Sequence, residues 1–381
     1  MQFEINNKAI LQITDILSIL ASKALKGCSD AGTLHFERNQ NLLNVTVFDG
    51  DTLCRAILRP TFLTDDSTPF NAICYTFNNA LSVIEDDNIK ISSENKLSIN
   101  YNNGNLKLPL VTSDFKSPTI NEPDDNALSI PAELFARGID CCLNAVAKDD
   151  LRPQICGVHI IPGERLVLTA TDGKKLCCLE TEHSCSDKIG PFTLPTKICS
   201  LLKKIIQKYK GAEVNISINL VSPTRGLIRL PGFEILCPVS KNSFPNTKPL
   251  IEHPRPNVLS IDRDGMLSAL SRLSACIDKS TAEYNNVAVL SLDPFSGNSI
   301  SFTGKEKNNA LEFLSTATYE GTTLKIGFNI PELISLLSKH AAGTVLMTFD
   351  TNRHPMCIKN ESNSNTKLTS VLAPSVFSTS S

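Results

Sequence analysis

Cysteine and histidine have the most reactive side chains in this 381-residue sequence, which contains 13 cysteines and six histidines. Nucleophilic catalysis needs a thiol beside a base, and structural zinc needs cysteines and histidines at short regular spacings. No CxxC pair occurs, and neither Cys141-Cys142 nor Cys177-Cys178 stands in a recognisable catalytic context. A glycine-rich phosphate loop and a dinucleotide fingerprint are also absent. The sequence therefore predicts a protein that is not an enzyme, without metal or cofactor, whose cysteines are reduced core residues.

Lysines cluster on a segment with a helical pattern, residues 192–210, FTLPTKICSLLKKIIQKYK. Pro195 suits the first turn of a helix, and Thr193 and Thr196 are candidate N-terminal caps. At about 100° per residue, one apolar arc contains Ile198, Leu201, Leu202, Ile205, Ile206 and Tyr209. The remaining surface contains Lys197, Lys203, Lys204, Lys208 and Lys210. Such a face is either a solvated surface or a surface that attracts phosphate groups.

The helix belongs to a strand-then-helix pattern that occurs six times in the chain. The copies are FEINNKAILQITDILSIL, CYTFNNALSVI, LSIPAELFARGI, FTLPTKICSLLKKI, LSIDRDGMLSALSRL and IGFNIPELISLLSKH. The last four begin at residues 128, 192, 259 and 326, a nearly constant interval that is too long for a solenoid. Alternating runs between them, such as NLLNVTVFDG and LVLTATDG, predict antiparallel strands. We therefore expect an α+β fold in which each of three similar domains contains two strand-helix-strands units.

Two linker-like segments divide the chain. The acidic run NEPDDN at 121–126 and the proline-containing run HPRPN at 253–257 predict domains of residues 1–126, 127–257 and 258–381. The formal net charge of −2 argues against a generally basic binding protein but permits a local cationic surface. Neither a secretory signal nor an apolar run of membrane-spanning length is present, so we expect a cytoplasmic protein.

Three segments of the second predicted domain form the most specific pattern. Arg152 precedes Gly157 with four residues between them, ATDGKKL follows at 170–176, and FPN follows at 244–246. Together they resemble the bacterial β sliding clamp family, which has Arg-x-x-x-x-Gly, Ala-Thr-Asp-Gly-His-Arg-Leu and Phe-Pro-Asp at similar spacings. The resemblance extends to IGFNIPELISLL, covers essentially the whole chain and is firmest over residues 128–358.

This resemblance implies a DNA-clamp fold: a head-to-tail homodimeric ring with helices lining the hole and antiparallel sheets outside. The ring would be the non-catalytic processivity subunit of DNA polymerase III and would encircle duplex DNA without reading its sequence. The expected DNA-contacting residues are Lys197, Lys204, Lys208, Lys148, Arg152, Arg272 and Lys26. The expected dimer-interface residues are Leu106, Leu108, Cys276 and Ile277.

The resemblance also implies a pocket for short linear peptides. The expected partners are the polymerase α subunit, the clamp loader, other polymerases, mismatch-repair proteins and ligase. The matching residues are Ile155, Thr171, Gly173, Lys174, Lys175, Leu176, Pro245, Leu250, Pro355, Met356, Val371, Leu372, Ala373, Pro374, Ser375 and Val376. Here the sequence departs from the family, because Lys174-Lys175 replaces His-Arg and Ala373-Pro374-Ser375 replaces Met-Pro-Met or Met-Pro-Val. The alternative function is a repeat-built scaffold that binds proteins but not DNA.

Overall fold

The computed structural model describes residues 1–21, 32–112, 115, 127–148, 152–277, 286–303, 309–361 and 365–377. The chain forms two compact units. Unit 1 comprises residues 1–136 and 197–241, and unit 2 comprises residues 137–196 and 242–381. The division into three domains predicted from the sequence remains a prediction.

Helices follow the predicted pattern. In the described residues they are α1 (Asn7–Ala21), α2 (Cys74–Ser82), α3 (Ala132–Cys142), α4 (Thr196–Gln207), α5 (Lys248–Glu252), α6 (Arg263–Ala275) and α7 (Ile330–Leu337). Five of the six predicted strand-then-helix units are confirmed, since α1, α3, α4, α6 and α7 each follow a strand within the predicted segment. The second unit was wrong in its bounds, because β6 ends at Ile73 and the predicted segment CYTFNNALSVI begins directly with α2. The predicted end of the first helix, near Lys26, lies outside the described residues.

Strands are the commonest regular element in both units, and every pair described is antiparallel. Those of the first half are β1 (Gln2–Asn6), β2 (Thr33–Asn39), β3 (Leu42–Phe48), β4 (Leu53–Leu58), β5 (Thr61–Phe62), β6 (Phe70–Ile73), β7 (Asn88–Ser93), β8 (Leu97–Tyr101), β9 (Gly104–Leu108), β10 (Leu128–Pro131), β11 (Gly157–Ile161), β12 (Val167–Thr171) and β13 (Lys175–Thr181). Those of the second half are β14 (Phe192–Pro195), β15 (Asn215–Ser222), β16 (Arg225–Leu230), β17 (Phe233–Pro238), β18 (Asn257–Asp262), β19 (Val287–Leu292), β20 (Ser299–Thr303), β21 (Asn309–Phe313), β22 (Thr318–Glu320), β23 (Leu324–Asn329), β24 (Thr344–Phe349), β25 (Met356–Asn360) and β26 (Thr366–Leu372).

Unit 1 contains two sheets, in the orders β5-β1-β7-β8-β9 and β10-β15-β16-β17-β4-β3-β2-β6. The second sheet is continuous because β17 pairs with β4, with Phe233 opposite Ala56 and Leu236 opposite Leu53. Helix α1 packs against α2 and against β3 and β4. Buried aromatic side chains fill this core, where the ring of Phe36 stacks on Phe70 and meets Phe77 edge-on.

Unit 2 also contains two sheets, in the orders β14-β11-β12-β13-β26-β25-β24-β18-β22 and β21-β20-β19-β23. Strand β13 pairs with β26 along its whole length, from Lys175 opposite Leu372 to Thr181 opposite Thr366. Helix α6 packs against α7. This sheet fixes the loops that follow β11, β12, β24 and β26 relative to one another.

Side-chain caps explain where three helices begin. The Ala9 N–H donates to the Asn6 side chain, that of Gly265 to Asp262, and that of Glu332 to Asn329. These acceptors satisfy backbone donors that have no partner within the first helical turn. None of the helices in the described segments has the length and apolarity to cross a membrane.

Candidate functional site

Helix α4 has the two faces that its sequence predicts. The side chains of Ile198, Leu201, Leu202, Ile205 and Ile206 are buried. The helix ends at Gln207, so Tyr209 lies beyond it, where its hydroxyl donates to the Pro231 carbonyl oxygen. Lys208 and Lys210 therefore extend from the turn after the helix and not from the helix itself.

Lys197 forms an ion pair with a buried carboxylate. Asp49, in the loop between β3 and β4, is fully buried, and its Oδ2 accepts from Lys197 Nζ. Its Oδ1 accepts from the N–H groups of Asp51 and Thr52, at 3.0 and 2.8 Å. Since the lysine side chain is only 26% exposed, its charge compensates Asp49 inside unit 1 as much as it faces solvent.

Lys204 is exposed in the last turn of α4, where a cation also interacts favourably with the helix dipole. Lys208 lies over the ring of Phe233, with Nζ 5.7 Å from the ring centroid, and partial burial lowers the pKa of its amine. Lys148 is exposed. Each of these lysines is accessible in its own unit, Lys204 and Lys208 in unit 1 and Lys148 in unit 2, and their contact with DNA remains a prediction.

Arg272, unlike these lysines, is paired with a carboxylate. Its guanidinium donates to both carboxylate oxygens of Glu312, over 2.7 and 3.0 Å, which joins α6 to β21. That bond raises the pKa of the guanidinium and lowers the pKa of Glu312. A bidentate carboxylate partner neutralises the charge that Arg272 was predicted to offer to DNA. Lys26 lies outside the described residues.

Arg152 contacts the turn that joins β12 to β13. Its guanidinium donates to the Asp172 carbonyl oxygen at 3.3 Å, and it lies close to Gly173. The turn is held by the Asp172 carboxylate, which accepts from the N–H groups of Lys174 and Lys175 at 2.8 and 2.9 Å. Gly173 has φ +90°, a conformation that side chains rarely permit. Arg152, predicted as a DNA contact, thus supports the Thr-Asp-Gly-Lys turn of the predicted peptide pocket.

The pocket residues on β13, β25 and β26 form an apolar floor. Leu176, Cys357 and Val371 pack together in the interior, with Cys178 and Ile251 against them. Five of the sixteen predicted pocket residues are buried: Ile155, Leu176, Met356, Val371 and Leu372. Their aliphatic side chains support the surface from beneath.

The other predicted pocket residues reach the surface to differing degrees. Val376 is 98% exposed and Leu250 is 37% exposed. Gly173, Lys174 and Pro245 are exposed, and Thr171, Lys175, Pro355, Ala373, Pro374 and Ser375 are half-buried. Lys175 lies between two carboxylates, with Nζ 3.6 Å from Asp172 Oδ2 and 3.9 Å from Glu332 Oε1. The surface is therefore mostly apolar, with Lys174 as its most accessible charge.

The C-terminal segment crosses this surface along two carbonyl groups. The Ala373 N–H donates to the Lys174 carbonyl oxygen and the Ser375 N–H to that of Gly327, each over 2.8 Å. A side chain at Gly327 would lie 2.7 Å from the Ser375 oxygen and 2.6 Å from the ring of Phe377. Glycine is therefore required for this close approach of the tail to β23.

Arg255 fixes the opposite side of the surface. Its guanidinium donates to the carbonyl oxygens of Leu250, His253 and Pro355, over 2.8, 2.9 and 3.0 Å. One side chain thus joins α5, the segment after it and the loop before β25. The sequence placed 253–257 in a linker, but it gave no sign that Arg255 organises the loops on both sides.

Two sheet edges carry apolar side chains, and one of them contains residues of the predicted dimer interface. Leu106 and Leu108 lie half-buried on β9, an edge strand of unit 1. In unit 2, β21 is also an edge strand, and Leu311 and Phe313 on it are 56% and 76% exposed. Sequence reasoning missed these two side chains, although the alternation in NALEF was a usable signal.

Cys276 and Ile277, the predicted interface residues of the third domain, directly follow α6. Their N–H groups donate to the carbonyl oxygens of Leu273 and Ser274, at 3.1 and 3.2 Å. Cys276 is half-buried and Ile277 is 8% exposed. Both side chains are less accessible to a second copy of the chain than Leu311 and Phe313.

A cysteine, a serine and a histidine meet in the interior of unit 2. The Nε2 of His340 lies 2.9 Å from Ser370 Oγ, which lies 3.7 Å from Cys177 Sγ. Burial lowers the pKa of His340 to about 4 and raises that of Cys177 to about 12. A protonated thiol beside a neutral imidazole in the interior has neither the nucleophile nor the access that catalysis needs. The contacts among these three side chains join β13, β26 and the segment after α7.

A curated protein and many solved structures are similar to this chain. No family model matches the chain. A curated protein named Beta sliding clamp, from Synechococcus elongatus, is 23% identical over 256 residues. The match covers 66% of this chain and 64% of that protein, so the chain spans less than two thirds of the relative's length.

Solved structures match over nearly the whole chain. A DNA polymerase sliding clamp from Bacillus subtilis has a TM-score of 0.86 at 17% identity and covers 99% of this chain and 100% of its own. DNA polymerase III subunit beta from Borrelia burgdorferi gives the same values. The β subunit from Thermotoga maritima has a TM-score of 0.85 at 16% identity, with the same coverage. The chain therefore has the α+β fold of the bacterial sliding clamps, as its sequence predicted.

Proposed function

We propose that this chain is the subunit of a DNA sliding clamp, a non-catalytic processivity factor of DNA polymerase III. The main support is the match to bacterial clamp structures over 99% of the chain, together with a sequence match to a curated clamp. In the proposal, two copies associate head to tail into a ring that encloses duplex DNA. A role in chromosome replication implies the cytoplasm. The protein scaffold without DNA binding is not favoured, since the matched proteins are described as clamps.

Accessible lysines in both units suit DNA that slides. Lys204, Lys208 and Lys148 are flexible point charges that attract phosphates. Phosphate contacts contain no sequence information, so the DNA remains free to move. Few contacts give weak binding, and in this proposal closure of the ring keeps the subunit on DNA.

DNA retention tests the ring. Together with a bacterial clamp loader and ATP, the protein should stay on nicked circular DNA through gel filtration and be lost after the circle is linearised. The solution mass should be that of a dimer. Equal retention on circular and linear DNA would reject topological binding.

Charge reversal tests the DNA surface. The double variant Lys204→Glu/Lys208→Glu should reduce loading and lower the slope of log affinity against log salt by roughly 2, about 1 for each phosphate contact. Lys96→Glu/Lys188→Glu, which reverses two exposed charges elsewhere, is the matched control. An equal effect of both variants would show that only net charge matters.

We further propose that the surface formed by β13, α5 and the C-terminal tail binds short linear peptides. Such peptides would come from the polymerase α subunit, the clamp loader, other polymerases, mismatch-repair proteins and ligase. An apolar floor with few polar anchors suits peptides that bind and exchange. Leu250→Asp should weaken binding of a labelled polymerase C-terminal peptide by at least about fivefold, which corresponds to the roughly 1 kcal/mol that separates contributing interface residues from near-neutral ones. Val221→Asp in unit 1, where Val221 is 48% exposed, should leave peptide affinity unchanged.

A further inference from the structure

Two histidines and an aspartate from distant parts of the sequence converge in unit 2. Asp350 follows β24, His354 lies in the same loop before β25, and His253 follows α5. One ligand atom from each side chain lies within 4.8 Å of the other two. The Nε2 of His253 is 3.2 Å from Asp350 Oδ2, and the Nδ1 of His354 is 2.7 Å from the same oxygen.

We propose that His253, Asp350 and His354 bind a divalent transition-metal ion of the zinc class. Two imidazoles and one carboxylate are a common protein ligand set for zinc, in which a fourth position is left to water. Metal–ligand bonds of about 2.0–2.1 Å in tetrahedral geometry separate ligand atoms by roughly 3.3 Å. The distance from His253 to Asp350 is already close to this value, and the His354 nitrogen has to move about half an ångström away from the Asp350 oxygen. The two imidazole nitrogens lie within 4.8 Å of each other.

The ligand types select the metal. Imidazole nitrogen suits zinc, copper and nickel, whereas magnesium and calcium prefer sites made of oxygen atoms. The carboxylate compensates one of the two positive charges. The side chains are 40%, 27% and 53% exposed, in the order His253, Asp350 and His354, so an ion can enter from solvent.

The surrounding backbone is already ordered around the three ligands. The Asn257 amide donates to the carbonyl oxygens of Phe349 and Asp350, over 3.3 and 2.8 Å. Arg255 holds the His253 carbonyl. The Thr351 hydroxyl lies 2.9 Å from His354 Nδ1, so this contact has to be given up when that nitrogen binds the ion. Ligands whose backbone positions are fixed lose less conformational entropy when a metal binds.

The bound ion would link the segment after α5 to the loop before β25. The loop before β25 contains Pro355, and α5, which ends directly before His253, contains Leu250. Both residues belong to the surface formed by β13, α5 and the C-terminal tail. Metal occupancy would therefore order one side of that surface. The binding site itself is independent of the proposed clamp function, because it depends only on contacts within unit 2.

Titration of the full chain with zinc chloride alone, in a phosphine reductant, tests the site. Isothermal calorimetry should detect one equivalent that binds at least about tenfold more weakly in His253→Gln, His354→Gln and Asp350→Asn, since second-shell changes alone weaken sites 10–100-fold. His183→Gln, a change at a histidine outside the cluster, should leave this affinity unchanged.

X-ray absorption at the zinc edge distinguishes this site from the cysteines. With one equivalent of zinc, the first shell should contain only nitrogen and oxygen, including imidazole. Thermal unfolding without metal should show that the variants remain folded. A sulfur-containing shell, affinity unchanged in both histidine variants, or no binding by the wild type would overturn the proposal.

Discussion

The ion pair between Lys197 and Asp49 should contribute to the stability of unit 1. Asp49 is fully buried and Lys197 is 26% exposed. At contact distance and an effective dielectric constant near 20, two unit charges attract by about 4 kcal/mol, before desolvation is subtracted. Lys197→Met leaves a buried carboxylate with two backbone donors, so we expect a loss near the lower end of the range for a broken buried pair, about 3 kcal/mol.

A double-mutant cycle isolates the interaction between the two side chains. Asp49→Asn keeps an oxygen acceptor for the N–H groups and lets Lys197 turn to solvent, so it should destabilise by about 1–2 kcal/mol. The double variant should be less destabilised than the sum of the single variants by about 2 kcal/mol. Hydrogen exchange in residues 42–58 and 196–207 reports the local opening free energy. Additive single effects would refute the pairing argument.

This ion pair also changes how charge reversal should be interpreted. Lys197→Glu would place a second carboxylate against buried Asp49, and two like charges in this position repel each other. Lost DNA retention in that variant would then report damage to unit 1. We therefore expect Lys204 and Lys208 to be the informative positions, and Lys197 to belong in a stability experiment.

Three other predictions follow from the described contacts. His340 has a folded pKa of about 4 against an ordinary value near 6.5, so its contribution to stability is complete above pH 6.5 and is lost as pH falls towards 4. The free energy of unfolding, measured with urea at a series of pH values, should rise with pH between about 4 and 6.5 in the wild type. In His340→Gln this slope should be smaller by up to about 1.4 kcal/mol per pH unit, and an unchanged slope would contradict the assignment. Leu311→Asp/Phe313→Asp should shift the dimer to monomer in sedimentation velocity if β21 is an interface edge, and a persistent dimer would exclude that edge. Gly327→Val should release residues 373–377, measured as faster hydrogen exchange there, and retained protection would show that the tail does not depend on this close approach.

Local patterns explain why the strand-then-helix units were predictable. Apolar residues three and four apart specify α4, and alternation specifies β3, β12, β15 and β24. These signals lie within a dozen residues of sequence. The matching motif order also led to the correct fold.

Contacts between distant segments could not be predicted in the same way. Lys197 and Asp49 are 148 residues apart, and the pairing of β17 with β4 joins strands from different predicted domains. Nor does the sequence reveal that His253 lies beside Asp350, since their proximity depends on how β18 pairs with β24. Charge patterns therefore identified the cationic helix but overestimated how many of its charges face solvent.

The ion pairs between cations and carboxylates explain how the proposed clamp would slide along DNA and yet remain on it. Asp49 pairs with Lys197, Glu312 with Arg272, and Asp140 with Lys339 at 2.8 Å. A cation that is paired with a carboxylate is less available to contact a DNA phosphate. Fewer phosphate contacts mean that DNA binding releases fewer counterions. In the proposed function an open subunit should dissociate readily at physiological salt, whereas a closed ring does not need affinity to remain on DNA. Low intrinsic affinity and topological closure are therefore complementary requirements of the proposed function.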